Sequence, residues 1–184
     1  MTTRLRKTIQ LVPLDCSNKL NDQELRAVLQ RNNVRVVDGP AWDCIRPAVE
    51  QTIALLNRLP RAAPWGSYLV ADAGSREVVG ICGFKNAPAD GMVEIAYFTF
   101  PPYESLGYAT ATASALAALA ESSPLVGTVM ARTLMEQNAS TRVLTKCGFS
   151  LAGEVVDPED GRVWQWERPA DHRGSHAPAD FVHV

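Results

Sequence analysis

Residues 92–120 read MVEIAYFTFPPYESLGYATATASALAALA, and residues 126–149 read VGTVMARTLMEQNASTRVLTKCGF. Met92–Phe100 is rich in β-branched and aromatic residues and reads as a strand, which Pro101 and Pro102 close. Gly107–Ser122 reads as a helix. Between Ala109 and Ala120 it is almost all Ala, Thr, Ser and Leu, a composition of high helix propensity. Its small side chains suit a helix lying close to a sheet, with Leu116 and Leu119 as its large apolar anchors. Val126–Thr133 is a further strand. Ala139–Cys147 is a short helix, with Gly148 as its C′ residue and Phe149 beyond. The strand–helix–strand crossover between 92 and 133 places a parallel pair in the sheet.

Upstream, residues 8–14 (TIQLVPL) alternate as a strand, and Pro13 assigns it to an edge or an end. Asn18–Asn32 has helical spacing at Leu20, Leu25, Val28 and Leu29, with Asn21 or Asp22 as cap. After the Gly39-Pro40 break, Ile45, Val49, Ile53 and Leu56 mark another helix, ended by Pro60 and Pro64. Ser67–Ala71 and Glu77–Phe84 form a hairpin across Asp72–Arg76, and Asn86–Gly91 is a second turn. Downstream, Ser150–Val156 and Val163–Trp166 flank the turn Asp157–Gly161. Strands joined by tight turns pair antiparallel. The fold class is therefore α+β: one twisted, mostly antiparallel sheet of about seven strands with helices on both faces. Residues 1–168 form a single domain, and 169–184, rich in Pro, Ala, His and Asp, read as a loosely ordered tail.

The chain has 184 residues, a size suited to one domain, with 46% apolar and 21% charged residues. Eighteen Lys and Arg against 20 Asp and Glu give a net charge of −2. This balance removes the bulk electrostatic case for nucleic-acid or anionic-membrane partners. The three histidines, His172, His176 and His183, all lie in the last thirteen residues. The body thus offers no imidazole for a catalytic triad or a buried zinc site. Gly174 and Pro178 argue against a helical metal site at His172 and His176, and no metal is expected. Cys16, Cys44, Cys82 and Cys147 form no C-x-x-C pair; Cys82 and Cys147 read as small core residues. This usage fits a reducing cytoplasm. No apolar h-region follows Arg4, Arg6 and Lys7, and no run of eighteen apolar residues occurs, so neither a signal peptide nor a membrane span is expected.

The loop Tyr103–Ala109 feeds a helix N-terminus, where free N–H groups and the helix dipole suit a phosphate. Alone, it reads better as an ordinary strand–helix turn without a ligand. With Asn138–Phe149 (NASTRVLTKCGF) it closely resembles the GNAT superfamily of acyl-CoA-dependent N-acetyltransferases. The nearest branch is that of the ribosomal-protein N-terminal acetyltransferases. That branch has a comparable strand, a loop Gln/Arg-Gly-x-Gly-x-Ala, a helix, a strand, and Asn-Ala-Ser-x-Arg-Val-Leu-x-Lys-x-Gly-Phe. The resemblance runs from about Ile9 to Glu167 and implies the same fold.

It also implies acetyl-CoA as co-substrate. The backbone of Phe98, Thr99 and Phe100 would meet the pantetheine arm. The loop Ser105, Leu106, Gly107, Tyr108, Ala109 and Thr110 would cradle the pyrophosphate. Asn138 would bond the arm, or cap its helix, or both. Arg142 and Lys146 would meet an outer phosphate or form a solvated face. The sequence departs from the branch at Glu104, where Gln or Arg is usual, and at Ser105, where Gly is usual.

Transfer to an amine needs a base, a donor for the carbonyl oxygen and a donor for the leaving thiolate. Glu94 is the candidate base, sharing a strand face with Ala96, Phe98 and Phe100; apolar surroundings there would tune it for the role. The alternative is a Glu facing water near a strand end. Ser140 is the candidate donor to the thiolate, or a plain first-turn serine. Tyr97, Tyr103 and Tyr108 are lesser candidates, because Leu144 and Thr145 occupy the neighbourhood of the superfamily's helix tyrosine. Trp164 and Trp166 read as core or as walls of the acceptor pocket, and the resemblance puts Trp42 at the acceptor cleft. The implied activity is direct acetyl transfer from acetyl-CoA to a primary amine: a protein N-terminus, a small metabolite or an antibiotic. The resemblance also allows a homodimer. The alternatives are a non-catalytic acyl-CoA-binding module and a domain that has lost the cofactor.

Overall fold

Seven strands form one sheet in the order β1-β2-β3-β4-β5-β7-β6. They are β1 (Ile9–Leu14), β2 (Ser67–Asp72), β3 (Val78–Phe84), β4 (Met92–Thr99), β5 (Thr128–Thr133), β6 (Ser150–Asp157) and β7 (Gly161–Pro169). Among the described residues the longer helices are α1 (Asp22–Arg31), α2 (Tyr108–Glu121) and α3 (Ala139–Lys146), with a short 3-10 turn at Pro101–Tyr103. The computed structural model describes residues 7–14, 22–36, 46–47, 63–158 and 160–171. The expected helix around 45–59 except residues 46–47, Asn21, Trp42, Cys16, Cys44, the three histidines and most of the tail lie outside the described residues.

All pairings are antiparallel except β4 with β5, as the crossover through α2 requires. β3 is buried along its whole length, as a central strand covered on both faces should be. One face packs against α1 through Leu25 and Val28, which meet Val12, Leu69, Ile81 and Phe100. The other packs against α2 and α3 through Ala113, Leu116, Ala117 and Leu144, which meet Val79, Val93, Ile95 and Val129. The small residues of α2 are the contact itself: Ala113, Ala117 and Ala120 are fully buried. A larger side chain there would push the helix off the sheet. Cys82, Cys147 and Trp166 are buried in the same layer, and Trp164 packs against it.

The feature that creates a site is the β4–β5 junction. The two strands pair only at Met92↔Thr128, Val93↔Val129 and Glu94↔Met130. Beyond Glu94, β4 keeps its partner β3 as far as Thr99, while β5 keeps β7 as far as Thr133. The sheet is open between these two half-paired segments.

Candidate active site

A cavity of about 360 Å³ fills this opening, a volume suited to a small ligand. β4 contributes Glu94, Ala96 and Tyr97, β5 contributes Arg132 and Thr133, and α3 contributes Ser140 and Leu144. Asn138, Lys85 and Asp160 complete the rim. The structure thus brings Glu94, Asn138 and Ser140 to one cavity.

The strand edge in the opening carries free backbone. Lys85 N–H donates to Glu94 C=O (2.9 Å) and Phe100 N–H donates to Val79 C=O (2.9 Å). Even-numbered residues of β4 therefore spend their backbone groups on β3. By alternation Tyr97 and Thr99 present theirs to the side where β5 has departed. Of the expected Phe98, Thr99 and Phe100, only Thr99 faces the opening; Phe98 and Phe100 are turned to β3, and the Phe100 ring is buried in the α1 core. Tyr97 is the other residue whose backbone faces it.

β4 leads through the turn at Pro101–Tyr103 to the start of α2. Gly107 is its N-cap at φ 97°, and no side chain caps the first turn. The first N–H groups of a helix have no carbonyl partner within it, so Tyr108, Ala109 and Thr110 present donors and the positive end of the dipole. Ser105 and Gly107 both adopt left-handed φ (59° and 97°), which folds Leu106 outward and exposes the loop backbone. Glu104 is exposed, in water that screens its charge. Lys7 lies beside Gly107, with its Nζ 4.6 Å from the centre of the Tyr108 ring. It places a positive charge near a loop that lacks the branch's Arg. These features fit a diphosphate.

The surroundings of Glu94 are not the expected apolar ones. Its Oε1 lies 3.0 Å from Lys85 Nζ and its Oε2 3.2 Å from Arg132 Nη1. The buried Asp157 shares both cations, at 2.8 Å from Arg132 Nη1 and 3.9 Å from Lys85 Nζ. Glu94 is 2% exposed, so it does not face water either. Oε1 nonetheless has no well-directed hydrogen bond, and neither do two other buried atoms of cavity-lining side chains, Tyr97 Oη and Arg132 Nε. A buried polar atom without a partner costs about 1–3 kcal/mol, which a bound polar ligand would recover.

The remaining candidates separate cleanly. Asn138 is an N-cap in a full capping box: its side-chain oxygen accepts from Thr141 N–H (3.1 Å), and Thr141 Oγ1 accepts from Asn138 N–H (3.1 Å). Tyr103 and Tyr108 are outside the cavity lining; Tyr108 Oη donates to Asp72 (2.7 Å) and Tyr103 Oη to Glu77 (3.5 Å). Arg142 and Lys146 are exposed on α3. Among the described residues no group of three or more metal-ligating side chains comes together. Lys85, Arg132 and Asp157 escaped sequence reasoning. The available signal was a single charge in each of two apolar strands, Glu94 in β4 and Arg132 in β5, with opposite signs.

An open parallel junction, a free strand edge and an uncapped helix start mark the candidate site. The chain belongs to the GNAT acetyltransferase family, whose domain model matches residues 18–150. It is 27% identical over 152 residues to the uncharacterized N-acetyltransferase YjdG of Bacillus subtilis, covering 82% of this chain and 88% of that one. Among solved structures it resembles a spermidine N-acetyltransferase SpeG chimera from Vibrio cholerae and human SSAT, at TM-score 0.58 and 14% identity over 88% of this chain and 95% of that one. It also resembles the ribosomal L7/L12 alpha-N-protein acetyltransferase RimL in complex with coenzyme A, at TM-score 0.56 and 17% identity over 89% and 99%. A third is the N-acetyltransferase PseH of Campylobacter jejuni with acetyl coenzyme A, at TM-score 0.56 and 14% identity over 89% and 100%. Among the described residues no helix is long and apolar enough to cross a membrane.

Proposed function

We propose that the protein transfers the acetyl group of acetyl-CoA directly to a primary amine, within the opening between β4 and β5. The observation that carries this reading is the junction: the ladder ends at Glu94 and Met130, and beyond them the facing edges of β4 and β5 are open. The loop Ser105–Thr110 holds the diphosphate, the edge at Tyr97 and Thr99 receives the pantetheine amides as an added strand would, and Asn138 borders the arm. Glu94 Oε1, buried and without a directed hydrogen bond, accepts the amine proton, and Ser140 lies across the cavity as a donor on the thiol side. Proteins of this fold include a spermidine and a ribosomal-protein acetyltransferase, whose shared requirement is an amine.

Two measurements test the reading. Acetyl-CoA at a hundredfold over its Kd should stabilise the protein by about 2.7 kcal/mol in thermal unfolding. Thiol release with a panel of amines should then show turnover, and E94Q should lower kcat/KM about 10²-fold or more, as loss of a general base does. Absence of a thermal shift at millimolar acetyl-CoA defeats the reading; full activity of E94Q at every pH removes Glu94 alone.

A further inference from the structure

The charges around the opening are not equally accessible. Glu94 and Asp157 are buried, with 3% and 5% of their side-chain surface exposed. The two cations they share keep more, 34% for Lys85 and 25% for Arg132, and both line the cavity. A molecule entering the opening therefore meets an ammonium and a guanidinium more readily than the carboxylates. These cations are also incompletely used by their protein partners. Arg132 reaches both carboxylates through Nη1, and its Nε has no hydrogen-bond partner. Lys85 Nζ lies 3.0 Å from Glu94 Oε1 without a well-directed hydrogen bond to it. Lys85 is held at the site by its backbone, whose N–H donates to Glu94 C=O at 2.9 Å. Asp160, the other acid at the cavity, is exposed in the turn between β6 and β7, where water screens it.

We propose that the acceptor is an amino acid, a small molecule with a carboxylate beside its amine, and that Lys85 and Arg132 recognise this carboxylate. This rests on the acetyl-transfer reading above and names its substrate class. Val93, Ile95 and Tyr97 of β4, with Val129 and Ala131 of β5, point to the layer of α2 and α3. By alternation Glu94 and Arg132 project from the opposite face. A cofactor whose diphosphate lies at the start of α2 belongs to the helical side, which leaves the charged side to the acceptor. Lys85, Arg132, Glu94 and Asp157 bring two positive and two negative charges together. Once Glu94 has taken the amine proton, the group carries a net positive charge. A carboxylate on the acceptor offsets that charge, whereas a second ammonium would add to it. The guanidinium fork and the donors of the lysine suit carboxylate oxygens. The cavity of about 360 Å³ must also take the acetyl end of the cofactor, so it suits an acceptor of this size.

The test assays each amino acid of an acceptor panel against its own carboxamide by thiol release. The carboxamide keeps the amine and the side chain and lacks only the charge. Its amine is the less basic of the two, so at neutral pH more of it is free to attack, and that bias runs against the proposal. In the wild type the preferred amino acid should exceed its carboxamide about tenfold or more in kcat/KM, the worth of one charge-assisted hydrogen bond. Calorimetric titration of the same two compounds into the complex with coenzyme A should show a similar ratio of Kd values, without turnover. K85Q should bring both ratios towards one. A merely structural role would not move them, because loss of fold weakens both compounds alike; if K85Q does not fold, the wild-type ratios decide. A carboxamide, or a diamine without a carboxylate, that matches or exceeds every amino acid overturns the proposal. So does a folded K85Q that keeps the wild-type preference. If no amine releases thiol, the acetyl-transfer reading itself falls; release without preference for a carboxylate leaves that reading standing and removes the amino acid only.

Discussion

Ser105 shows how one residue can carry a cost at a functional loop. Its φ of 59° is left-handed, a conformation that costs an L-residue about 1–2 kcal/mol and glycine almost nothing. Glycine would also add freedom to the unfolded chain, worth about 0.5–1 kcal/mol in the opposite direction. S105G should therefore stabilise the protein by up to about 1 kcal/mol, read from the midpoint of urea unfolding. A loss of stability instead would show that interactions of Ser105 secure the loop. Glu94 makes the complementary point. Period-two alternation places it on a face with Ala96 and Phe98, but its charged neighbours come from the residue after β3, from β5 and from the end of β6. No local pattern announces Lys85, Arg132 and Asp157 as neighbours, so the expected apolar setting was replaced by an ionic one.

Among the elements, α2 is held at its first residue. Tyr108 Oη donates to Asp72 Oδ2 at 2.7 Å, joining the end of β2 to the start of the helix. Asp72 also accepts from Ser75 N–H (2.8 Å) and Gly74 N–H (2.9 Å), with Lys7 Nζ at 3.6 Å. The Ser75 amide above all, and then the Tyr108 hydroxyl, lower its pKa to about 2 from 3.8. The folded value lies below the unfolded one, so this stabilisation is complete above about pH 4 and is lost as the pH falls through 2. D72N should cost about 1–2 kcal/mol at neutral pH and flatten the fall in stability between pH 4 and 2, measured by urea unfolding across that range. If the variant keeps the wild-type slope, another carboxylate controls acid unfolding. The elements themselves were largely legible, because small-residue composition, Pro-Pro and Gly148 mark their ends. The helix expected at Gly107–Ser122 is Tyr108–Glu121, and the strand expected at Val163–Trp166 extends to Gly161–Pro169. That last strand grew because pairing with both β5 and β6 overrides the polar ends of its sequence.

At the scale of the molecule, the sheet consists of two leaves, β1–β4 and β5–β7–β6, joined by three residue pairs. The opening that would admit the cofactor is therefore also the weakest seam of the sheet. α2 and α3 bridge it on one side through their shared core. The ionic group bridges it within the sheet: Lys85 and Glu94 belong to the first leaf, Arg132 and Asp157 to the second. Crossover chirality made the parallel pair legible in the sequence, but where two strands part depends on register and on ion pairs distant in the chain. Arg132 lies close to both carboxylates, at 2.8 and 3.2 Å, whereas Lys85 is 3.0 Å from Glu94 and 3.9 Å from Asp157. R132A would remove a cation shared by two buried carboxylates, and breaking a buried charge group in this way typically costs about 3–5 kcal/mol. That is a large part of a domain's usual stability of about 5–15 kcal/mol. Because both carboxylates are buried, the loss should persist at high salt, where an exposed pair would have been screened. Hydrogen exchange should localise it, with amides of β4 and β5 at the seam opening faster while those of β1–β2 follow global unfolding only. A cost below about 1 kcal/mol, or one abolished by salt, would assign the joining of the leaves to α2 and α3 and leave the ionic group a role at the cavity alone.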